Sequence, residues 1–516
     1  MTWVEFLAGL GATYAFFWAW LQLTQDAREP KAVSTSIPFL SPILSMVYHS
    51  MGFYSHMRDL YPRLPIYTLR IPGVRLYVIN SANLIPAVQK QWRTLLFPPI
   101  QARAAKTAMG ASKEALDILC HDMVTDEGFV PKFIKKIYPT LSSGPALNDL
   151  NQKATQVLID TMARFAIQGP AIVNLNEFVT EQIFYATTDG IYGPKNPMRD
   201  PDNYSAWLKY HPAIMFMMLD ILPLSLFKSS IQGREHLVRS FERYNDEKGY
   251  TSGSVFIQRW MDHFQSFGLS KNDIARFHVG GLFALVANTS PTAFWMTYRV
   301  FSNPETLEDC RSEVSKAVTK KDDVYTLDSS IIKNSCPILV STFQEVFRVH
   351  GMGNSVRVAS EDYMLDNQYL IKRGGLIMIP GRVQHSDRDI WGDSWSEFNH
   401  QRFLRTQSTS TKRPNPVAFR GFGGGTSLCP GRHFATAEIL LLAAMLIMRF
   451  DMHPLSGKWA LPSRDKSSQA EAMEQPDEDV KVKLIPRAGG DKEWRIAFSD
   501  SAEPHITAED ERNESH

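Results

Sequence analysis

The sequence predicts a large, mainly α-helical domain with a minor β-sheet, preceded by an apolar helix. Three observations carry this. Helical periodicity runs over Asn272 to Phe301, Pro337 to His350 and Gly431 to Phe450. Strand-like alternation is confined to short stretches. Ile66 to Val88 reads as a hairpin turning into a helix, and Val356 to Ala359, Leu370 to Lys372 and Leu376 to Ile379 read as short strands. No repeat of fixed period and no composition break divides the 516 residues.

Composition narrows the function. Apolar residues make up 44% of the chain, enough to bury a large core around a bulky ligand. Lys plus Arg number 55 and Asp plus Glu 54, a balance that points away from a nucleic-acid partner. The four cysteines, Cys120, Cys310, Cys336 and Cys429, lie far apart with no C-x-x-C pair. A zinc site or disulfide framework is not expected, and the pattern fits a reducing compartment.

In chain order, Phe6 to Leu23 is an apolar run interrupted by Thr13 and Gln22, with Trp18 and Trp20 near one end. Its length suits a membrane-spanning helix with an interfacial aromatic belt, so 1–24 is read as a transmembrane anchor. No small-residue cleavage site follows, which favours retention over removal. The first basic residues, Arg28 and Lys31, come after the run and place the body on the cytosolic side. Residues 25–45, with Pro30, Pro38 and Pro42, read as a stiff linker. The catalytic body is expected over 46–498. Within it Ile214 to Phe227 is strongly apolar and broken by Pro223; it reads as core or as a segment dipping into membrane lipid, with a lean to the latter. The polar, acidic stretch 499–516 is expected to be a solvated, disordered tail.

The chemistry concentrates in residues 419–434, FRGFGGGTSLCPGRHF. Gly423, Gly424 and Gly425 permit positive φ and close approach of backbone to a flat ligand. Phe422 can shield the Cys429 sulfur from water. Cys429 precedes Pro430, Gly431 and a helix, whose unpaired N–H groups favour an anionic thiolate. Two rivals are weaker. A phosphate-binding loop would need a glycine where Thr426 stands, or a Lys-Ser/Thr pair. A nucleophilic cysteine would need a poised histidine, and His433 points away from a loop sulfur.

This Phe-Gly-Gly-Gly-x-x-x-Cys-Pro-Gly pattern resembles the heme-binding loop of the cytochrome P450 superfamily. The resemblance covers roughly residues 30 to 500. It implies the fold of that family, with a long central helix over heme (iron protoporphyrin IX) and Cys429 as the axial iron ligand. A thiolate in that position favours O–O cleavage. Phe422, Gly423, Gly425 and Gly431 are then cofactor-binding residues. Glu345 and Arg348 form a Glu-x-x-Arg pair on one helix face. By composition alone such pairs are common, but here Arg402 resembles the third member of the family's structural network. Arg357 resembles the arginine that pairs a heme propionate.

On the long helix the family places an acid and a threonine that deliver protons to bound dioxygen. Thr289 matches, while Asn288 replaces the acid. Pro291 cannot donate to the Ala287 carbonyl, which predicts a local bulge beside Thr289. The bland alternative is a kinked core helix in which Thr289 bonds its own backbone. Asn288-Thr289-Ser290 also matches a glycosylation sequon, discounted for its expected burial. Substrate contacts are expected from Phe283, Ala284 and Ala287.

Ser427 departs from the family, which usually has Arg or His two residues before the cysteine. One propionate contact is therefore expected to be weakened or supplied elsewhere. Asn288 with Ser427 resembles the branch of sterol 7-alpha-hydroxylases and prostacyclin synthase, and the whole chain resembles fungal biosynthetic members.

The resemblance implies a monooxygenase at the endoplasmic reticulum membrane, facing the cytosol. It would take O2, a lipophilic substrate such as a terpenoid, meroterpenoid, sterol or polyketide, and electrons. The chain has no dinucleotide or flavin motif, so a separate NADPH-dependent flavoprotein reductase is implied. Two alternatives stay open: a peroxide isomerase of the prostacyclin-synthase type and a non-catalytic heme-binding protein.

Overall fold

A computed structural model describes residues 3–33, 36–219, 223–404, 415–467, 471–498, 506, 507 and 510. The chain begins with helix α1 (Trp3–Thr24). Its last carbonyl, that of Thr24, accepts from Arg75 at 2.9 Å and Arg70 at 3.3 Å, cations placed where the helix dipole is negative. Among the described residues, no helix is long and apolar enough to cross a membrane. The expected span is therefore not established: polar and aromatic side chains such as Thr13, Tyr14 and Gln22 dilute the run.

The segment read as a linker is not free. Val33 N–H donates to the Thr68 carbonyl and Thr68 N–H to the Lys31 carbonyl, so the chain pairs along the first strand. Glu29 is buried and accepts from the Tyr77 hydroxyl at 2.7 Å. A strand edge with open N–H and C=O groups captures adjacent backbone more strongly than proline stiffness keeps it away.

A five-stranded sheet follows. Its hairpin, β1 (Ile66–Ile71) and β2 (Val74–Ile79), leads into helix α2 (Ile85–Lys90), as the sequence pattern expects. The remaining strands are β3 (Leu95–Leu96), β4 (Asn354–Ala359) and β5 (Leu376–Pro380), giving the order β1-β2-β5-β4-β3. β5 runs parallel to β2 and antiparallel to β4, setting Arg357 opposite Ile377. Arg357 thus stands on an interior strand, held from both sides. Smaller sheets of three, three and two strands complete the β-structure among the described residues.

The helical body comprises, among others, α3 (Phe129–Leu141), α4 (Pro145–Gln168), α5 (Leu175–Tyr192), α6 (Lys271–Val286), α7 (Thr289–Phe301), α8 (Pro337–His350) and α9 (Arg432–Arg449). The expected single helix over Asn272 to Phe301 is two, α6 and α7, divided at Ala287 and Asn288. The sequence ATAEILLLAAMLIM of α9 is buried almost throughout. A helix apolar on all sides belongs at the centre, and α9 packs against α4, α7 and α8. The mainly helical architecture with minor sheets matches the expectation.

The segment Ile214 to Phe227 divides. Ile214 and Met217 are buried in the main core, while Phe216, Leu224 and Leu226 are exposed. Residues 220–222 lie outside the described residues, as do most of 499–516. The described tail residues Ile506, Thr507 and Asp510 are buried, so at these positions the chain is docked rather than solvated.

Candidate active site

The loop ahead of α9 is closed by its own backbone. Leu428 N–H donates to the Gly425 carbonyl, and Cys429 N–H to the Phe422 carbonyl, both at 3.0 Å. Gly423 and Gly425 take φ of 81° and 59°, as expected. A Cβ on Gly423 would sit 3.0 Å from the Ser427 carbonyl oxygen, and one on Gly425 3.0 Å from the Gln89 side chain. Gly424 differs from the expectation: its φ of 163° is extended backbone, because one left-handed residue on each side already turns the chain. The Phe422 ring packs 4.7 Å from Phe347 and 6.3 Å from Phe343, so α8 props up the loop.

The Cys429 side chain keeps some accessible surface yet lies deep in the protein. Burial pushes its thiol up; the Gly431 N–H and the Arg432 charge pull down without overcoming it. Burial thus opposes the thiolate that the helix start favours. A metal ion on the sulfur would deprotonate it outright.

Arg357 reaches this loop from β4. Its Nη2 donates to the Ser427 hydroxyl at 3.0 Å, and that hydroxyl donates to the Gly424 carbonyl at 3.1 Å. Arg357 is 1% exposed, and its Nε has no partner among the described residues. Burial alone pulls Arg357 down from its usual value, with no carboxylate among the described residues to support the charge. A buried cation without a protein counter-ion suits an anionic ligand. The donor set therefore fits heme: a sulfur, two left-handed glycines that leave the backbone bare, and an unsatisfied cation for a carboxylate.

Glu345, Arg348 and Arg402 form a separate, buried cluster. Arg348 forks onto both Glu345 oxygens at 2.7 Å, and Arg402 Nε meets Glu345 at 3.1 Å. Their other donors go to carbonyls of His385, Trp391, Ser394, Trp395 and Glu397. With every donor engaged by protein, the cluster pins the 385–397 segment and offers nothing to a cofactor.

At the α6–α7 break, the Thr289 hydroxyl donates to the Leu285 carbonyl at 3.0 Å. This is the local back-bond weighed from sequence. Pro291 has no N–H for the Ala287 carbonyl, and the helix parts there. Ala284 and Asn288 are exposed, and Phe283 and Ala287 half-exposed, although Leu282, Val286, Thr289 and Ser290 around them are buried. Phe283 and Ala287, and Ala284 and Asn288, are four residues apart, so the accessible residues share one face of the helix. The Asn288 amide makes no hydrogen bond to the described residues. α7, which follows α6 beyond the break, packs on both α8 and α9.

Sequence reasoning missed several supports. Gln89 on α2, with its amide oxygen turned to face the donors, accepts from Arg420 Nη1 and Gly425 N–H, both at 3.1 Å. His385 accepts from Arg420 N–H at 2.8 Å and faces the Gly351 carbonyl at 3.0 Å. Arg420 stood inside the quoted loop and could have been marked as a second cation; Gln89 carries no local signal. Cys310 and Cys336 are buried, their thiols pushed up to about 12, and are inert. Among the described residues no three His, Cys, Asp or Glu side chains cluster to hold a metal ion.

Comparison with known proteins gives the same family. Residues 32–482 match the family model for cytochrome P450. "Cytochrome P450 monooxygenase nodJ" of Hypoxylon pulicicidum is 30% identical over 494 residues, covering 93% of this chain and 94% of that protein. "Cholesterol 7-alpha-monooxygenase" of Cricetulus griseus is 25% identical over 279 residues, covering 51% and 55% respectively. In fold, the chain is similar to "Retinoic acid bound cyanobacterial CYP120A1", with a TM-score of 0.68 at 19% identity, covering 90% of this chain and all of that one. The chain belongs to the cytochrome P450 family and is a heme-thiolate monooxygenase.

Proposed function

We propose that this monooxygenase hydroxylates or otherwise oxidises a lipophilic small molecule of terpenoid, meroterpenoid, sterol or polyketide type, in a fungal secondary-metabolite pathway. The observation that carries this is the accessible face at the end of α6 and the break that follows it. Phe283, Ala284 and Ala287 give an apolar wall, with Asn288 the one polar side chain among them. Such a wall accepts hydrocarbon and orients it by a single amide. The fungal relatives support the pathway class.

In this reading the Cys429 sulfur would bind the heme iron, and Arg357, Ser427, Gly423, Gly425 and Gly431 would hold the heme. Bound heme supplies oxygen activation and the oxidation itself, while the protein places substrate and excludes water. Thr289 moves protons by exchanging its Leu285 bond for one to cavity water, and the freed Ala287 carbonyl holds that water. Electrons come from an NADPH-dependent flavoprotein reductase.

The body rests on the endoplasmic reticulum membrane from its cytosolic side. Phe16, Trp18, Trp20 and Leu23 of α1 are exposed, and so are Leu44, Val47 and Tyr48 in the short helix Ser41–His49. Phe39 joins the two, its ring 5.2 Å from Trp20. So large an apolar surface calls for a lipid cover.

Cys429→Ser tests the ligand: the reduced carbon-monoxide complex should lose its thiolate-type absorption, and retention of that band would refute the assignment. Membranes co-expressing a reductase, fed candidate precursors, should yield products heavier by one oxygen. Product formed equally well without reductase would instead indicate peroxide rearrangement.

A further inference from the structure

The end of the chain brings a carboxylate to the helix that follows Cys429. Asp510 is 8% exposed, and its Oδ1 lies 3.0 Å from Arg432 Nε and 2.9 Å from Arg432 Nη2. Its Oδ2 accepts from the Thr507 N–H at 2.9 Å and the Thr507 hydroxyl at 2.8 Å. Asp510 N–H in turn faces the Thr507 hydroxyl at 3.4 Å. Thr507 and Asp510 thus bond each other reciprocally, Thr-x-x-acid, which fixes the carboxylate in place. Ile506, 5% exposed, is embedded in the main core, and its carbonyl accepts from the Gln344 amide of α8 at 3.3 Å. The segment is therefore anchored at two points, on α8 and on the first residue of α9.

Arg432 is tied to the cysteine loop on its other side. Its Nη1 donates to the Tyr138 hydroxyl of α3 at 3.0 Å and approaches the Cys429 carbonyl at 3.4 Å. Those two partners are neutral; the carboxylate that balances this buried guanidinium is Asp510. A bare cation so close to a sulfur ligand would draw electron density from it and favour the reduced metal.

We infer that Asp510 is a positioning residue for the cysteine loop: the C-terminal segment clamps Arg432 and so sets how strongly the Cys429 sulfur donates. The inference rests on Cys429 being the axial ligand. Groups beyond the immediate ligand tune a metal site by holding its loop and balancing its charge, and here the group comes from the far end of the chain.

The experiment uses full-length holoenzyme. Asp510→Asn should raise the ferric/ferrous midpoint potential and lower the thermal midpoint, with Asp510→Glu restoring both. In an Arg432→Gln background, Asp510→Asn should shift the potential no further. A wild-type potential and thermal midpoint in Asp510→Asn would overturn the inference, as would the same potential shift with and without Arg432. Should Asp510→Asn yield no holoenzyme, recovery of holoenzyme in the Arg432→Gln/Asp510→Asn double variant supports the clamp, and no recovery overturns it. Absence of the thiolate-type carbon-monoxide band in the wild type would sink the ligand reading itself; its presence with an unaltered Asp510→Asn sinks only the clamp.

Discussion

Arg357 and Ser427 meet side chain to side chain, Nη2 to hydroxyl at 3.0 Å, although 70 residues separate them. The cation usual two residues before the cysteine is replaced by a hydroxyl, and that hydroxyl orients the neighbouring arginine. Ser427→Ala should release Arg357 and speed heme loss about tenfold, the weight of one hydrogen bond to a charged group. Arg357→Gln should do more. Transfer of heme to an apoprotein trap measures both; equal rates for wild type and Ser427→Ala would leave Ser427 without a role.

Glu345 carries two arginines in a buried cluster. Glu345→Ala strands Arg348 and Arg402, each with little exposed surface, as uncompensated cations. The expected cost is about 3–5 kcal/mol, enough to deplete folded, heme-loaded protein. Heme-to-protein ratio and denaturation midpoint report it. A full complement of heme in the variant would reduce the cluster to a dispensable contact.

The helix break gives a third test. Pro291→Ala restores an N–H for the Ala287 carbonyl and should close the bulge, while Thr289→Ala removes the hydroxyl. Both should divert electrons from product to peroxide, read as peroxide released per NADPH consumed on any turned-over substrate. Unchanged coupling in Thr289→Ala would mean that its bond to Leu285 is merely structural.

Acid sensitivity follows from buried histidines. Burial lowers His278, His350 and His385 to about 3 each. His350 is neutral: it donates Nδ1–H to Glu474 at 2.9 Å and accepts at Nε2 from Arg299 at 3.0 Å. Folded values below the unfolded value of 6.5 mean that stability is complete above that pH and is lost as pH falls toward 3. Each histidine contributes a slope of about 1.4 kcal/mol per pH unit in that window. His278→Phe should flatten the loss, because this ring stacks on Phe241 and its Nδ1 lacks a partner. An identical acid profile in the variant would contradict this.

Much of the site was legible in the sequence because its signals are local. The glycines, Cys429 and the start of α9 lie within a few residues of one another. The period of α8 puts Glu345 beside Arg348 without reference to the rest of the fold. Short strands around Arg357 followed from alternation. Gly424 was misread because identical neighbours hide which of them turns the chain. The long helix was read as one element with a bulge beside Thr289, whereas it divides there, because apolar periodicity persists across Pro291 even where backbone bonding does not.

The sequence by itself determined the helical class, the cysteine loop and the Glu345–Arg348 pair, since each rests on spacing within one turn or loop. Only the tertiary structure decided that Ser427 belongs to Arg357, that Gln89 braces the glycines, that residues 31–33 join β1 and that Asp510 reaches Arg432. These are contacts between distant segments. Their partners are chosen by how helices and sheet pack and by which buried charge or open backbone group needs satisfying, and neither is written into the order of neighbouring residues.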